Sequence, residues 1–448
     1  MSFIRQSKKC PRYFEFSDGK TFLPIGTNLC FVRNSEKFTE KEVLEIYRRW
    51  MTALAENSVN YIRVWLGVPF FDLMPERIGV YSEKNLGHVK ALVAMAEELG
   101  VKIKFTLEHF RSILSEKQAE SFSGIVPFGK EILKDKFSSV QEFLDSAEGR
   151  EIYLAKARFL AAAVGNSPSV VAIELWNEIN ALGPMDVWAD WSNYMLEQLH
   201  LVFPNQMVVQ NLGSFWTSNH KILYSYLSQL EKNDFVQAHR YYDPASVNQL
   251  SICLADMDVL CADAVRELLY RNFSKPAVLA ETGAVEYGHR CYSHYYELDT
   301  EGVILHDSLF APFFAGSAGS GQPWHWDYIY IEKHNLYWHF SRFAKAVAGI
   351  DPADEEFYPE YYETQELRIY ILRGKKHNLY WCRDKQFTWE NELDKKIASR
   401  CCRNFNTGTL MLTDYQYYLP WADKTGTGTG NILPDFTRSV VLREKVAK

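Results

Sequence analysis

Between residue 21 and about residue 350, short apolar runs alternate with longer stretches in which apolar residues recur every three or four positions. Runs of the first kind suit strands buried on both faces, and stretches of the second kind suit amphipathic helices, so the alternation predicts repeated β/α units. Eight runs are present: TFLPIGTNL (21–29), NYIRVWLG (60–67), VKIKFTLEHF (101–110), VVAIELWNE (170–178), QMVVQNLG (206–213), DFVQAHRYY (234–242), PAVLAETG (276–283) and SAGSGQPWHW (317–326). The stretch Thr39–Glu56 shows the helical period: Val43, Tyr47, Trp50, Met51 and Leu54 share one face. Thr39 followed by Glu42 predicts a capping box at its start, which satisfies two orphan backbone donors. Eight such units predict an α/β fold, a (β/α)8 TIM barrel over residues 1–355. The structural rival, a doubly wound open sheet, would carry fewer strands and a glycine-rich first turn, and GTNLCF after the first run is not such a turn.

Beyond about residue 360 the pattern changes. ELRIYILRG, HNLYWCRD, TLMLTDYQYYLPWAD and RSVVLREK are short, rich in strand formers and separated by Gly, Asn and Asp, with no long helical period between them. They predict a small C-terminal antiparallel β-sandwich over residues 360–448. The run Thr425–Gly430 (TGTGTG) has alternating glycines, but no helix pattern follows it. It therefore reads as a flexible turn and not as a phosphate cradle.

Composition narrows the partners. Hydrophobic residues make up 47% and charged residues 23% of the 448, enough for a sizeable core. The aromatic share is 15%, with 12 Trp and 26 Tyr, which favours a carbohydrate partner because pyranose C–H faces stack on flat rings. A net charge of −7 argues against nucleic acid and against an anionic membrane, and no stretch approaches a membrane-spanning length. The opening residues MSFIRQSKKCPRYFEFSDGK lack the apolar core of a secretion signal, so a cytoplasmic location is expected. The eight cysteines are scattered, with no C-x-x-C pair and no zinc-ligand spacing, and read as reduced structural thiols.

In a barrel of this type chemistry gathers at the C-terminal ends of the strands. The polar and aromatic residues there are Asn28, Arg63, Glu108, His109, Asn177, Glu178, Asn211, His239, Tyr241, Glu281, Trp324 and Trp326. The chain has no H-E-x-x-H motif and no G-x-S-x-G elbow, so neither a metal site nor a serine nucleophile is expected, and no cofactor is implied. Two carboxylates remain, Glu178 ending the fourth run and Glu281 in the seventh. Glycosidic cleavage with retention needs such a pair: a protonated carboxyl for the leaving oxygen, and an ionised one about 5–5.5 Å away for the anomeric carbon. Arg63 and Tyr241 are placed to keep one of them charged.

The combination of WNE in IELWNEIN, ETG in VLAETGAV, IRVW, HRYYD and the Trp-rich eighth run resembles glycoside hydrolase family 5 and its clan of retaining barrel enzymes, over residues 21 to about 345. That resemblance implies Glu178 as acid/base and Glu281 as nucleophile, oriented by Arg63 and Tyr241. It also implies Asn177 at the sugar 2-hydroxyl, His239 and His109 lining the site, and Trp324 under the sugar at subsite −1. The eighth run offers Trp324, His325 and Trp326 together, which leaves open which Trp stacks on substrate. Segments such as PIGTN and RRWMTALAENSVNYIRVWL resemble the mannan-active branch, including its intracellular exo-acting β-mannosidases. The expected activity is an exo-β-mannosidase on short β-linked oligosaccharides, including mannose β-1,4-linked to N-acetylglucosamine. The alternatives are an endo-β-1,4-mannanase or glucanase, and a barrel that binds carbohydrate without cleaving it. A homo-oligomer in which a neighbouring subunit closes one end of the cleft is compatible with exo action. Among plain competitors, Glu174 reads as a satisfied barrel carboxylate and Glu286 as a loop charge.

Overall fold

Seven of the eight apolar runs contain β-strands: Gly26–Asn28, Tyr61–Trp65, Lys102–His109, Val170–Asn177, Met207–Val209, Val236–Tyr242 and Ala277–Glu286, numbered first to seventh below. The structure is a computed structural model that describes residues 2–109, 133, 136–214, 220–244, 251–286 and 291–446. Phe110, at the end of the third apolar run, and the last two residues of the C-terminal segment lie outside the described residues. Strands one to five form one parallel sheet in chain order. Strands six and seven form a second parallel pair, edged by the short antiparallel strand Cys291–Tyr292. Between these sheets the Asp234 N–H donates to Val208 O at 3.2 Å and the Val208 N–H to Asp234 Oδ2 at 2.6 Å.

The eighth run, 317–326, is not a regular strand. Its backbone nevertheless bonds the seventh strand on one side and the first on the other: Gln322 N–H to Leu279 O at 3.0 Å, Trp324 N–H to Thr282 O at 2.8 Å, and Asn28 N–H to Pro323 O at 3.3 Å. The glycines and proline of this run explain the irregularity. A Cβ on Gly319 would lie 2.2 Å from Pro24 O and one on Gly321 2.0 Å from Ser308 O, so the backbone here passes closer to its neighbours than any side chain allows.

Helices fill the intervals as the periodicity predicts. Glu40–Glu56 buries Val43, Tyr47, Trp50, Met51 and Leu54, and its capping box forms between Thr39 and Glu42. Below the strands, Ile4, Phe14 and Phe22 of a small N-terminal sheet pack on Tyr61, Val171, Met207, Phe235 and Val278 and close the end opposite the site. Among the described residues no helix is long and apolar enough to cross a membrane. No disulfide joins any of the eight cysteines.

The C-terminal segment forms a six-stranded antiparallel sheet that starts at Tyr358, with a separate two-stranded pair, Cys401–Cys402 with Phe436–Thr437. Alternation along its strands gives it two apolar faces. Tyr370, Leu372, Trp381 and Val441 join the same core as the helix Val303–Phe314, whereas Ile369, Ile371, Cys382 and Val440 pack beneath Phe405, Leu412 and Phe436. The TGTGTG run corrects an expectation: Lys424–Thr429 is the edge strand of this sheet and not a flexible turn. Its glycines pair with Tyr415 and Tyr417 on the adjacent strand, and a Cβ at Gly426 or Gly428 would fall 2.4 or 2.6 Å from those rings. The alternation of Gly and Thr is thus a packing pattern, with aromatic rings covering bare backbone.

Candidate active site

The fourth strand ends at Asn177, and Glu178 immediately leaves it in the left-handed region (φ 50°, ψ 57°). That turn costs a non-glycine residue free energy, and it is held here by the bond from the Glu178 N–H to Asn211 Oδ1 at 2.7 Å. Gly213 leaves room for the acid: a Cβ there would sit 3.1 Å from Glu178 Cδ. Glu281 lies within the seventh strand, across the sheets from Glu178. One oxygen of each carboxyl and a ring nitrogen of His239 all lie within 4.8 Å of one another.

The two acids differ in their surroundings. Glu281 is buried and accepts from Arg63 Nη1 and, at 2.7 Å, from Tyr241 Oη. Glu178 has 17% of its side chain exposed, and among the described residues its carboxyl takes one hydrogen bond, at 2.7 Å with His239 Nδ1. The histidine's tautomer follows from Asn211: its Oδ1 is occupied by the Glu178 N–H, so its amide nitrogen donates to His239 Nε2 at 3.2 Å and Nδ1 carries the hydrogen. That hydrogen is donated to Glu178, and the Nδ1 atom itself lies 3.3 Å from Glu281 Oε2. Burial holds His239 neutral by lowering it to about 4.

Burial raises both acids. Glu178 is pushed up to about 7 by desolvation, with Arg63 as the main opposing influence. Glu281 is also raised by burial, against His239, Arg63 and the Tyr241 hydroxyl. With more donors on Glu281, a single proton shared by the pair belongs on Glu178.

Beneath the pair, Arg63 on the second strand is fully buried and spans both halves of the site. It bonds Glu281, Glu174, Asn28 Oδ1 at 3.3 Å and Asn177 Oδ1 at 2.6 Å. Glu174 is the satisfied carboxylate expected: besides Arg63 it takes Thr106 Oγ1, Gln237 Nε2 and Lys104 Nζ at 2.8, 2.8 and 2.9 Å. Burial opposes its charge, but Arg63 and Lys104 outweigh this and hold it well below the usual carboxylate range. Glu286 bonds His294 and Ser293 at the strand end, away from the pair.

His109 stacks on Trp65 with ring centroids 4.1 Å apart, and Trp65 leans on Trp324 at 5.2 Å. The structure separates the two candidate tryptophans. Trp324 forms the aromatic wall with Trp65, whereas Trp326 is 1% exposed and is enclosed by Trp324, Phe31 and Trp50 at 5.0, 5.3 and 6.4 Å. Trp326 backs Trp324, because the left-handed turn at His325 (φ 62°) breaks the alternation that would have put both rings on one face. His325 is a wall residue, fully buried and 3.2 Å from Tyr296 Oη.

Glu178, His239 and Glu281 could together bracket a cation. Their bonding does not fit one: Arg63 already neutralises Glu281, and His239 presents a hydrogen and not a lone pair to the acids.

Sequence reading missed Lys104 and Gln237. Their signal is present as polar residues inside otherwise apolar runs, at positions whose side chains meet Glu174.

No family model matches the sequence, and no curated protein matches it. Solved structures do match in fold. They include a glycoside hydrolase family 5 protein from Bacteroides vulgatus ATCC 8482, at 12% identity and TM-score 0.60, covering 100% of this chain and 93% of that one. The endo-beta-1,4-mannanase from Thermotoga petrophila matches at 13% identity and TM-score 0.53, covering 96% and 99%. An exo-beta-1,4-mannosidase from Opitutaceae bacterium strain TAV5 matches at 18% identity and TM-score 0.51, covering 75% and 61%. At these identities the similarity resides in the backbone: the chain carries the fold of glycoside hydrolase family 5 structures.

Proposed function

We propose that this chain is a retaining β-glycosidase acting on β-mannosides, with Glu178 as acid/base and Glu281 as nucleophile. The observation that carries the proposal is the spacing: carboxyl oxygens within 4.8 Å suit direct attack with retention, whereas inversion needs room for a water, about 6.5–9.5 Å. In the first step a Glu281 oxygen bonds the anomeric carbon, the bond to the leaving oxygen breaks, and the Glu178 proton passes to that oxygen. In the second, Glu178 takes a proton from water, the water oxygen attacks the same carbon, and the bond to Glu281 breaks. Asn177, held by Arg63, is placed for the sugar 2-hydroxyl, and Trp324 for the sugar face. The parallel sheets and the 317–326 segment are read as one closed eight-stranded barrel over residues 1–355, with residues 360–448 as a reduced sandwich beside it.

The preferred substrate is a short β-mannoside cleaved from one end, with mannose β-1,4-linked to N-acetylglucosamine as the leading candidate. The full-length match to an endo-mannanase supports a second reading, internal cleavage of mannan. Hydrolysis of p-nitrophenyl β-mannoside compared with polymeric mannan separates them. Release of β-mannose from the aryl glycoside, with little loss of mannan viscosity, is the expected result. Rapid viscosity loss without aryl-mannoside cleavage would replace exo by endo action, and an α-configured first product would remove the retaining mechanism.

A further inference from the structure

Among the described residues, the charges under the site form one connected set. Lys104, on the third strand, is fully buried; its Nζ lies 2.9 Å from Glu174 Oε2 and donates to Gln237 Oε1 at 2.5 Å. The charged and titratable groups around it are Glu174 from the fourth strand, Arg63 from the second, Glu281 from the seventh, His239 from the sixth and Cys30 beyond the first. His239 is neutral in this setting, and burial pushes the Cys30 thiol up, so it stays protonated. Two cations, Arg63 and Lys104, therefore face Glu174, Glu281 and Glu178. The buried charge is zero only when one of the three acids is protonated, and Glu174 is the one fully engaged by donors.

We infer that Lys104 is a positioning residue of the proposed glycosidase site, acting through Glu174, whose buried charge balance lets the pocket hold one ionised and one protonated carboxyl. The inference rests on the glycosidase reading for its role, but not for its electrostatics. Without Lys104, Arg63 alone faces Glu174, Glu178 and Glu281, the pocket carries one more uncompensated negative charge, and both Glu178 and Glu281 hold protons to higher pH. Without the charge of Glu174, the surplus is positive and both release protons at lower pH. The burial that draws Lys104 itself down to about 8 is opposed chiefly by Glu174, in keeping with their mutual dependence.

The test is the pH profile of kcat/KM for Lys104→Met, Glu174→Gln and the double variant, each checked for folding by circular dichroism. Lys104→Met should move the bell upward by about one pH unit, a roughly tenfold loss on the acidic limb. Glu174→Gln should move it downward, and the double variant should return close to the parent. The opposed signs are what a merely structural role would not produce. Profiles that stay in place, or that shift in the same direction for both single variants, overturn the inference. If Lys104→Met does not fold, Glu174→Gln and Lys104→Arg/Glu174→Gln decide the matter: both should show the same downward shift, because Lys104→Arg conserves the charge, and a profile that stays in place in Glu174→Gln overturns the inference. Infrared titration of the Glu281 carboxyl, with Glu281→Gln as the blank, reads the same shifts without substrate. An inert parent enzyme that shows them would refute the glycosidase and keep the charge balance.

Discussion

Two buried arginines in this molecule, Arg63 and Arg383, sit in nearly identical chemistry and do different things. Arg383, on the strand His377–Asp384, forks onto Asp307 at 3.1 and 2.5 Å and lies 3.5 Å from Asp258, which Arg368 and Tyr370 also bind at 2.9 and 2.8 Å. This cluster joins the C-terminal sheet to the helices Met257–Arg271 and Val303–Phe314. Around Arg63 the acids are as deeply buried, and burial raises Asp307 just as it raises Glu281. The difference lies in Glu178. Asp307 is 1% exposed and gripped by a guanidinium, whereas Glu178 is part-exposed, takes one bond from a neutral histidine and stands in a left-handed turn beside a glycine. A perturbed acid alone does not mark a functional site; a perturbed acid that is part-exposed and has hydrogen-bonding capacity to spare is the better candidate.

The comparison can be broken most directly at the nucleophile. Glu281→Gln should lower kcat on aryl β-mannoside by roughly 10⁴-fold or more with the fold intact, since the group that forms the covalent bond is gone; steady-state kinetics and circular dichroism check both halves. Arg383→Met should do the reverse. Leaving Asp307 buried without its guanidinium costs about 3–5 kcal/mol of stability, read by denaturant unfolding, while kcat per folded molecule is unchanged. A smaller effect sharpens the role of Glu178: because its proton is held to about pH 7, kcat/KM should fall about tenfold per unit above that pH, and Glu178→Gln should abolish this basic limb along with most activity. Least of all, Gly213→Ala, which puts a methyl 3.1 Å from the Glu178 carboxyl carbon, should lower kcat/KM about fivefold, the equivalent of about 1 kcal/mol, without moving KM for an aryl substrate.

Much of this arrangement is legible in the amino-acid sequence. Six of the seven strands fall within the apolar runs and the seventh overruns its run by three residues, because a strand covered on both faces is mostly apolar, and a capped helix announces itself by period and Thr39. Irregular pieces were read less well. The pattern of 317–326 predicts an ordinary strand, but its glycines and proline leave only scattered backbone bonds to its neighbours, and TGTGTG predicts a turn because the tyrosines that cover it lie elsewhere in the chain.

By itself, then, the amino-acid order determined which segments are strands and which residues stand at their ends, because both follow from local periodicity. Only the tertiary structure decided how those ends meet. That Glu178 and Glu281 share His239, that Trp326 backs Trp324, and that Lys104 balances Glu174 are all through-space relations between distant segments. Electrostatic and packing energies depend on distance in space and not on separation along the chain, so no local pattern encodes them.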